Sequence, residues 1–222
     1  MPKVLIAPAT LAGPHGPHVP ILREAGFELT YPPRAEQMVE EELFREVPGI
    51  AAAVAGSEPY TRRVIEAAPH LRVIARCGVG YDAVDVAAAT AHGIAVTIAP
   101  NTNQEAVAEQ TFALILGVAK QVVRHHQGIL AGGWPRNPTL PLRGRTLGIA
   151  GLGRIGKAVA VRGAAFGMKL LAYEPFPDAP FVAKYGITLL PFERLLAESD
   201  FLTLHMPLTR NRNISSTAGP WP

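Results

Sequence analysis

Gly151, Gly153 and Gly156 stand in the run Thr146-Leu-Gly-Ile-Ala-Gly-Leu-Gly-Arg-Ile-Gly156, and Glu174 closes the later segment Lys169-Leu-Leu-Ala-Tyr-Glu174. This order, Gly-x-Gly-x-x-Gly followed by an acid, is the arrangement that binds a dinucleotide. Gly151 permits a tight turn, Gly153 lets the backbone approach a pyrophosphate, and Gly156 lets a helix pack close to the preceding strand. The unpaired N–H groups of that helix's first turn then face the phosphates. A carboxylate at Glu174 accepts hydrogen bonds from ribose hydroxyls and repels a 2′-phosphate, so the expected cofactor is NAD rather than NADP.

Other chemically capable residues make weaker constellations. His15 and His18 have metal-like spacing but no Cys or carboxylate cluster beside them, and His125-His126 point in two directions on a helix, so no metal site is expected. His205 lies on a late strand with no evident acid to orient it as a base. Cys77 is the single cysteine, which leaves no intrachain disulfide and suits a reducing, cytoplasmic setting.

The elements around the glycine run are those a dinucleotide turn needs. Thr146 to Ala150 is a short apolar run suited to a buried parallel strand, and Lys157 to Phe166 is Ala-rich and free of Pro, so it suits a helix that Gly167 stops. Upstream, apolar runs at Val4–Ala7, Phe27–Tyr31, Ile50–Ala55, Leu71–Ala75 and Ile94–Ile98 read as strands. They alternate with helices at Val19–Ala25, Ala35–Glu46, Thr61–Ala68 and Val84–Ala91, the α/β rhythm of a small doubly wound domain. Ala99-Pro100-Asn101-Thr102 breaks that rhythm. One long helix is expected from Gln104 to about Leu130, apolar on nearly every face and therefore buried between domains or against a second copy. The loop Gly132–Arg145, with Pro135, Pro138 and Pro141, reads as a linker. After Glu174 come a turn, a short helix, the segment Ile187–Leu190, a helix Pro191–Glu198 and a strand Phe201–Met206. These pieces make about half of a nucleotide domain. The expected division is 1–100, 101–209 and a polar tail over 210–222.

Composition narrows the class. The chain is 48% hydrophobic and 18% charged with a formal charge of +3, ordinary for a packed globular protein. Its basic residues are scattered rather than striped, which argues against a nucleic-acid partner. The longest apolar stretch, Phe112 to Ala119, falls far short of the roughly 20 residues that span a bilayer, so no membrane segment is expected.

Six motifs in order, Arg76-Cys-Gly-Val-Gly-Tyr-Asp82-Ala-Val-Asp85, Asn103-Gln-Glu-Ala-Val-Ala-Glu109, Gly133-Trp-Pro-Arg136, Leu142-Arg-Gly-Arg-Thr-Leu-Gly148, Gly151-Leu-Gly-Arg-Ile-Gly156 and Ser199-Asp-Phe-Leu-Thr-Leu-His-Met-Pro-Leu-Thr209, resemble the D-isomer-specific 2-hydroxyacid dehydrogenases, phosphoglycerate dehydrogenase being the closest variety. The resemblance implies a flavodoxin-like substrate domain into which an NAD-binding Rossmann domain is inserted, here incomplete, with the active site between them. It implies that Gly78-Val79-Gly80 gives backbone N–H groups to the substrate carboxylate, with Val79 also near the nicotinamide. A glycine-rich loop can form such an anion-binding nest, although a plain strand-to-helix turn is the alternative. Asn103 matches a position that touches substrate, and a helix N-cap is its alternative. Arg154 and Ile155 match the pyrophosphate turn, Met206 and Pro207 the loop at the nicotinamide ribose.

The same resemblance places the family's catalytic arginine, acid and histidine beyond the equivalent of Thr209, so none of them is expected in this chain. The sequence is therefore expected to be a dehydrogenase lacking its C-terminal third, interconverting a small D-2-hydroxy acid and its 2-oxo acid. The Asn103–Glu109 signature favours 3-phosphoglycerate, with glyoxylate or hydroxypyruvate behind it. The alternative is a non-catalytic dimeric NAD-binding protein or redox sensor, associating through the 104–130 helix.

Overall fold

The computed structural model describes residues 1–207 apart from Ala12, Pro14, Arg34 and Ala35, so the expected tail over 210–222 and the start of the expected helix at Ala35 lie outside the described residues. The chain divides into two compact units, Met1–Thr102 and Asn103–Pro222.

Unit 1 is a five-stranded parallel sheet of β1 (Lys3–Ile6), β2 (Glu28–Thr30), β3 (Ile50–Ala55), β4 (Val73–Arg76) and β5 (Ala95–Thr97), in the order β2-β1-β3-β4-β5. That order is the flavodoxin-like one. The helix α1 (His18–Glu24) lies one residue earlier than the sequence suggests, and α2 (Glu40–Glu46), α3 (Arg62–Glu66) and α4 (Val86–Ala91) are each shorter. Two of them start where a side chain takes over an orphan amide. Thr61 Oγ1 accepts from Val64 N at 3.4 Å and Asp85 Oδ1 from Ala88 N at 2.8 Å. Leu5, Leu43, Tyr60, Ile65, Leu71 and Ile74 fill the core of this unit.

Unit 2 begins with α5 (Gln104–Ala119) and α6 (Val122–Leu130), followed by β6 (Thr146–Ala150), α7 (Arg154–Ala165), β7 (Lys169–Tyr173), α8 (Ala179–Tyr185), β8 (Thr188–Leu189), α9 (Phe192–Glu198) and β9 (Phe201–Leu204). The strands run parallel in the order β8-β7-β6-β9. This is the first four-strand pattern of the doubly wound dinucleotide fold, and its order reverses between β6 and β9. β6 is buried almost throughout. A Cβ on Gly148 would come within 2.0 Å of Ser199 Oγ, so only glycine lets α9 lie this close to the strand.

The single helix expected over 104–130 is a correction: it is two helices, bent by 59°. Gln121 adopts a left-handed φ of 51°. The break is pinned by tertiary hydrogen bonds, Lys120 Nζ to Leu140 O at 2.8 Å and Gln121 Nε2 to Pro138 O at 3.1 Å. Nor is this pair buried within its unit. Leu114, Val118, Val122, Val123, Ile129 and Leu130 are all exposed. No single helix among the described residues is long and apolar enough to cross a membrane, and the α5–α6 pair reaches that length and composition only by counting across the bend.

Candidate cofactor and carboxylate sites

In unit 2 the glycine turn sits where β6 ends, at the reversal of strand order, the place where open α/β sheets bind their ligands. Gly151 has φ 95° and donates its N–H to Tyr173 O at 2.8 Å. A Cβ there would lie 2.8 Å from His205 C and 2.9 Å from Met206 Cγ, so the loop after β9 closes directly over it. Gly153 occupies the N-cap of α7, with open space on its Cβ side. A Cβ on Gly156 would lie 2.0 Å from Gly151 O, which ties the first turn of α7 to the strand end. No side chain caps this helix, so the amides of Gly153, Arg154 and Ile155 face outward without acceptors among the described residues. Arg154 is exposed and forms no ion pair among those residues.

Glu174 organises the other side of the turn. Its Oε2 accepts from Leu152 N at 2.8 Å and its Oε1 from Phe176 N at 3.0 Å. A carboxylate has about four lone-pair directions, so two remain for ribose hydroxyls. Met206 and Pro207 follow β9 and complete the group of Gly151, Gly153, Arg154, Ile155, Gly156 and Glu174 at one end of the unit 2 sheet. The residues present therefore fit a dinucleotide: an anion-accepting helix start, room for a close approach, and a fixed carboxylate one strand away.

His205 is held structurally. Its backbone N–H donates to Ala150 O at 2.7 Å, and Nε2 pairs with Thr203 Oγ1 at 2.8 Å, with no carboxylate partner. Burial pushes its pKa below the ordinary histidine value. A histidine depressed in this way stabilises the fold fully above the unfolded value of about 6.5, and that contribution is lost as pH falls through it towards the folded value. Melting temperature should therefore drop between pH 7.5 and 5.5, and His205→Gln should flatten the slope. Parallel slopes for the two proteins would show that His205 does not set it. Asp178 and Asp200 are displaced downward by Lys157 and by the Thr146 amide respectively, and act only in the carboxylate range below.

In unit 1 the Gly78-Val79-Gly80 loop follows β4 at the C-terminal edge of its sheet. The amides of Gly78, Val79 and Gly80 have no acceptor among the described residues, while Gly78 O accepts from Ala99 N at 3.0 Å and Gly80 O from Arg76 Nε at 2.8 Å. Cys77 precedes the loop, and desolvation pushes its thiol above the ordinary cysteine value.

Asn103 stands at the N-cap of α5 in unit 2 but makes no capping bond with its side chain, so among the described residues its amide is not spent on the helix start. Of the unit 1 cations, Arg63 pairs with Glu41 and lies over Phe44, and Arg62 faces Glu66 and Asp85 at 3.9 Å each. Two features had no sequence signal. Glu58 is 2% exposed and takes Gly56 N at 2.6 Å, and Phe176 is 91% exposed on the turn that Glu174 holds. Among the described residues no group of three or more His, Cys, Asp or Glu is placed to hold a metal ion.

A parallel α/β unit with a glycine turn at its strand reversal and an acid on the next strand is a nucleotide-binding domain of the dehydrogenase type. Residues 112–215 match the D-isomer specific 2-hydroxyacid dehydrogenase, NAD binding domain, and the chain belongs to that family; NAD is the cofactor of this domain. The chain is 42% identical over 176 residues to a D-3-phosphoglycerate dehydrogenase of Archaeoglobus fulgidus, covering 78% of this chain and 33% of that protein. It is 43% identical over 159 residues to a glyoxylate reductase of Korarchaeum cryptofilum, covering 69% and 48%. Among solved structures, the TT0316 protein of Thermus thermophilus superposes with TM-score 0.76 at 34% identity, covering 94% of this chain and 66% of that one. A D-lactate dehydrogenase of Aquifex aeolicus complexed with NAD and lactic acid gives 0.77 at 27%, covering 94% and 62%. The chain thus spans about a third to a half of the length of these two curated relatives.

Proposed function

We propose that the chain serves an NAD-dependent oxidoreductase that interconverts a small D-2-hydroxy acid and its 2-oxo acid by hydride transfer. The observation that carries this reading is the pair of outward-facing amide sets, one in each unit: Gly78–Gly80 for a carboxylate and Gly153–Ile155 for a pyrophosphate. NAD, when bound, accepts or donates the hydride. The chain's own residues hold and orient. The first turn of α7 neutralises the diphosphate, Glu174 takes the adenosine ribose and disfavours a 2′-phosphate, and in unit 1 the loop over Val79 and Gly80 fixes the acid's carboxylate. In unit 2 the side-chain amide of Asn103 is a candidate donor to substrate.

The relatives named for 3-phosphoglycerate and glyoxylate support a small 2-hydroxy or 2-oxo acid. 3-Phosphoglycerate needs an uncommitted cation for its phosphate, and Arg62, Arg63 and Arg76 each already have partners. Glyoxylate and hydroxypyruvate have no such requirement. A non-catalytic NAD-binding role is the second reading, favoured by the pairing of His205 Nε2 with Thr203 Oγ1 and with no carboxylate among the described residues. Calorimetric titration with NAD, followed by an NADH assay against glyoxylate, hydroxypyruvate and 3-phosphoglycerate, separates them. NAD binding with turnover supports the dehydrogenase and overturns the non-catalytic role, and no NAD binding removes both.

The exposed apolar surface of α5 and α6 supports a homodimer. Leu114, Val118, Val122 and Val123 line a groove of about 610 Å³ there. Leu114→Glu with Val118→Glu is expected to weaken self-association at least tenfold in sedimentation velocity. An unchanged profile would exclude this face from the contact.

A further inference from the structure

Arg76, the last residue of β4, turns its side chain back across the start of the glycine loop. Its Nε donates to Gly80 O at 2.8 Å and its Nη1 to Ala55 O, the end of β3, at 3.3 Å. Cys77 N also donates to Ala55 O, at 2.9 Å, and Ala99 N donates to Gly78 O at 3.0 Å. The Gly78 carbonyl shares its peptide plane with the Val79 N–H and the Gly80 carbonyl with the Tyr81 N–H, so these bonds set which way those two N–H groups face, and the amides of Gly78, Val79, Gly80 and Tyr81 are without acceptors among the described residues. The distinction matters because glycine peptides rotate with little steric cost. A flipped peptide would present a carbonyl oxygen to an incoming anion in place of an N–H.

We propose that Arg76 is a positioning residue for the substrate carboxylate: its guanidinium bridges β3 and Gly80 and holds the Gly80–Tyr81 peptide with its N–H, not its carbonyl, towards the anion. This rests on the reading of that loop as the carboxylate site. The role belongs to the planar fork rather than to the positive charge. Two donors at fixed separation are needed to span Ala55 O and Gly80 O, which a single ammonium does not reproduce. The charge itself is opposed locally by Glu58, the one buried charged side chain among the described residues, whose carboxylate closes the turn after β3 through Gly56 N.

The test uses the 222-residue chain labelled with 15N-glycine, with oxalate as the probe, a planar two-carbon anion that offers a carboxylate beside further oxygen acceptors. In the unsubstituted chain oxalate should shift the Gly78 and Gly80 amide signals. Arg76→Gln and Arg76→Lys should both bind oxalate at least tenfold more weakly, with the ligand-free Gly80 signal displaced and NAD affinity within twofold. Retained NAD affinity and an unchanged unfolding transition report that each variant is folded; should Arg76→Gln fail that check, Arg76→Lys carries the comparison alone. Oxalate binding by Arg76→Lys as tight as in the unsubstituted chain would assign the effect to charge and overturn the positioning role. Unchanged binding by Arg76→Gln would overturn it outright. If oxalate leaves Gly78 and Gly80 unmoved in the unsubstituted chain, the carboxylate reading of the loop fails with it, whatever NAD does.

Discussion

Gly156→Ala is expected to cost unit 2 about 2 kcal/mol and to weaken NAD binding by about a hundredfold. The added Cβ would stand 2.0 Å from Gly151 O and 3.0 Å from Gly151 C, and both are backbone atoms at the end of the central strand, with no flexible side chain to yield. Alanine gains about 1 kcal/mol over glycine inside a helix. Overpacking against backbone costs about 3 kcal/mol, so the steric term wins. The relief available is to push α7 away from β6, which carries the amides of Gly153, Arg154 and Ile155 off the diphosphate. Each charge-assisted hydrogen bond lost there removes about 1.5–3 kcal/mol. Gly153→Ala is the control with the opposite profile. Nothing lies within 4 Å of its Cβ position and its φ of −72° suits any residue, so stability should hold while NAD affinity falls because the side chain blocks the pyrophosphate's approach. Thermal melting with calorimetric NAD titration checks both. Wild-type stability and affinity for Gly156→Ala would mean that the turn does not depend on close contact between helix and strand.

The legibility of this chain follows from whether a residue's reason is local. The alternation of strands and helices was readable because apolar runs bounded by Gly26, Gly49, Gly93 and Gly167 answer to short-range sterics and burial. Position of the turn between β6 and α7 was readable for the same cause. The break after α5 was not, since neither Lys120 nor Gln121 disfavours helix on its own; the left-handed Gln121 is held by Pro138 and Leu140, contacts that exist only after the following segment folds back. Arg76 stood in a motif, yet its sequence neighbours do not tell that its guanidinium ends on Ala55 O and Gly80 O, because β3 and β4 become neighbours only in the sheet. Glu58 is the same kind of case. A glutamate beside a proline reads as surface, and its burial is set by the turn it closes over Gly56.

Glu174 joins a local motif to a tertiary role, and its substitution has the second large effect. With one carboxylate oxygen on Leu152 N and the other on Phe176 N, Glu174 shapes the glycine turn and keeps lone pairs for the ribose contact proposed above. Glu174→Ala removes the ribose acceptor and leaves the Leu152 amide unpaired, at a cost of about 1.5–3 kcal/mol, so NAD affinity should fall at least tenfold. NADP affinity should fall less, because the carboxylate that opposed the 2′-phosphate is gone along with the contacts to the turn. The ratio of NADP to NAD dissociation constants should therefore drop at least tenfold. Glu174→Gln separates the two contributions, since an amide oxygen still accepts from one backbone N–H while the negative charge is absent. It should keep most of the turn's stability and still lose discrimination against NADP. A ratio unchanged in both variants would place the ribose elsewhere and leave Glu174 as a clamp on the glycine turn alone.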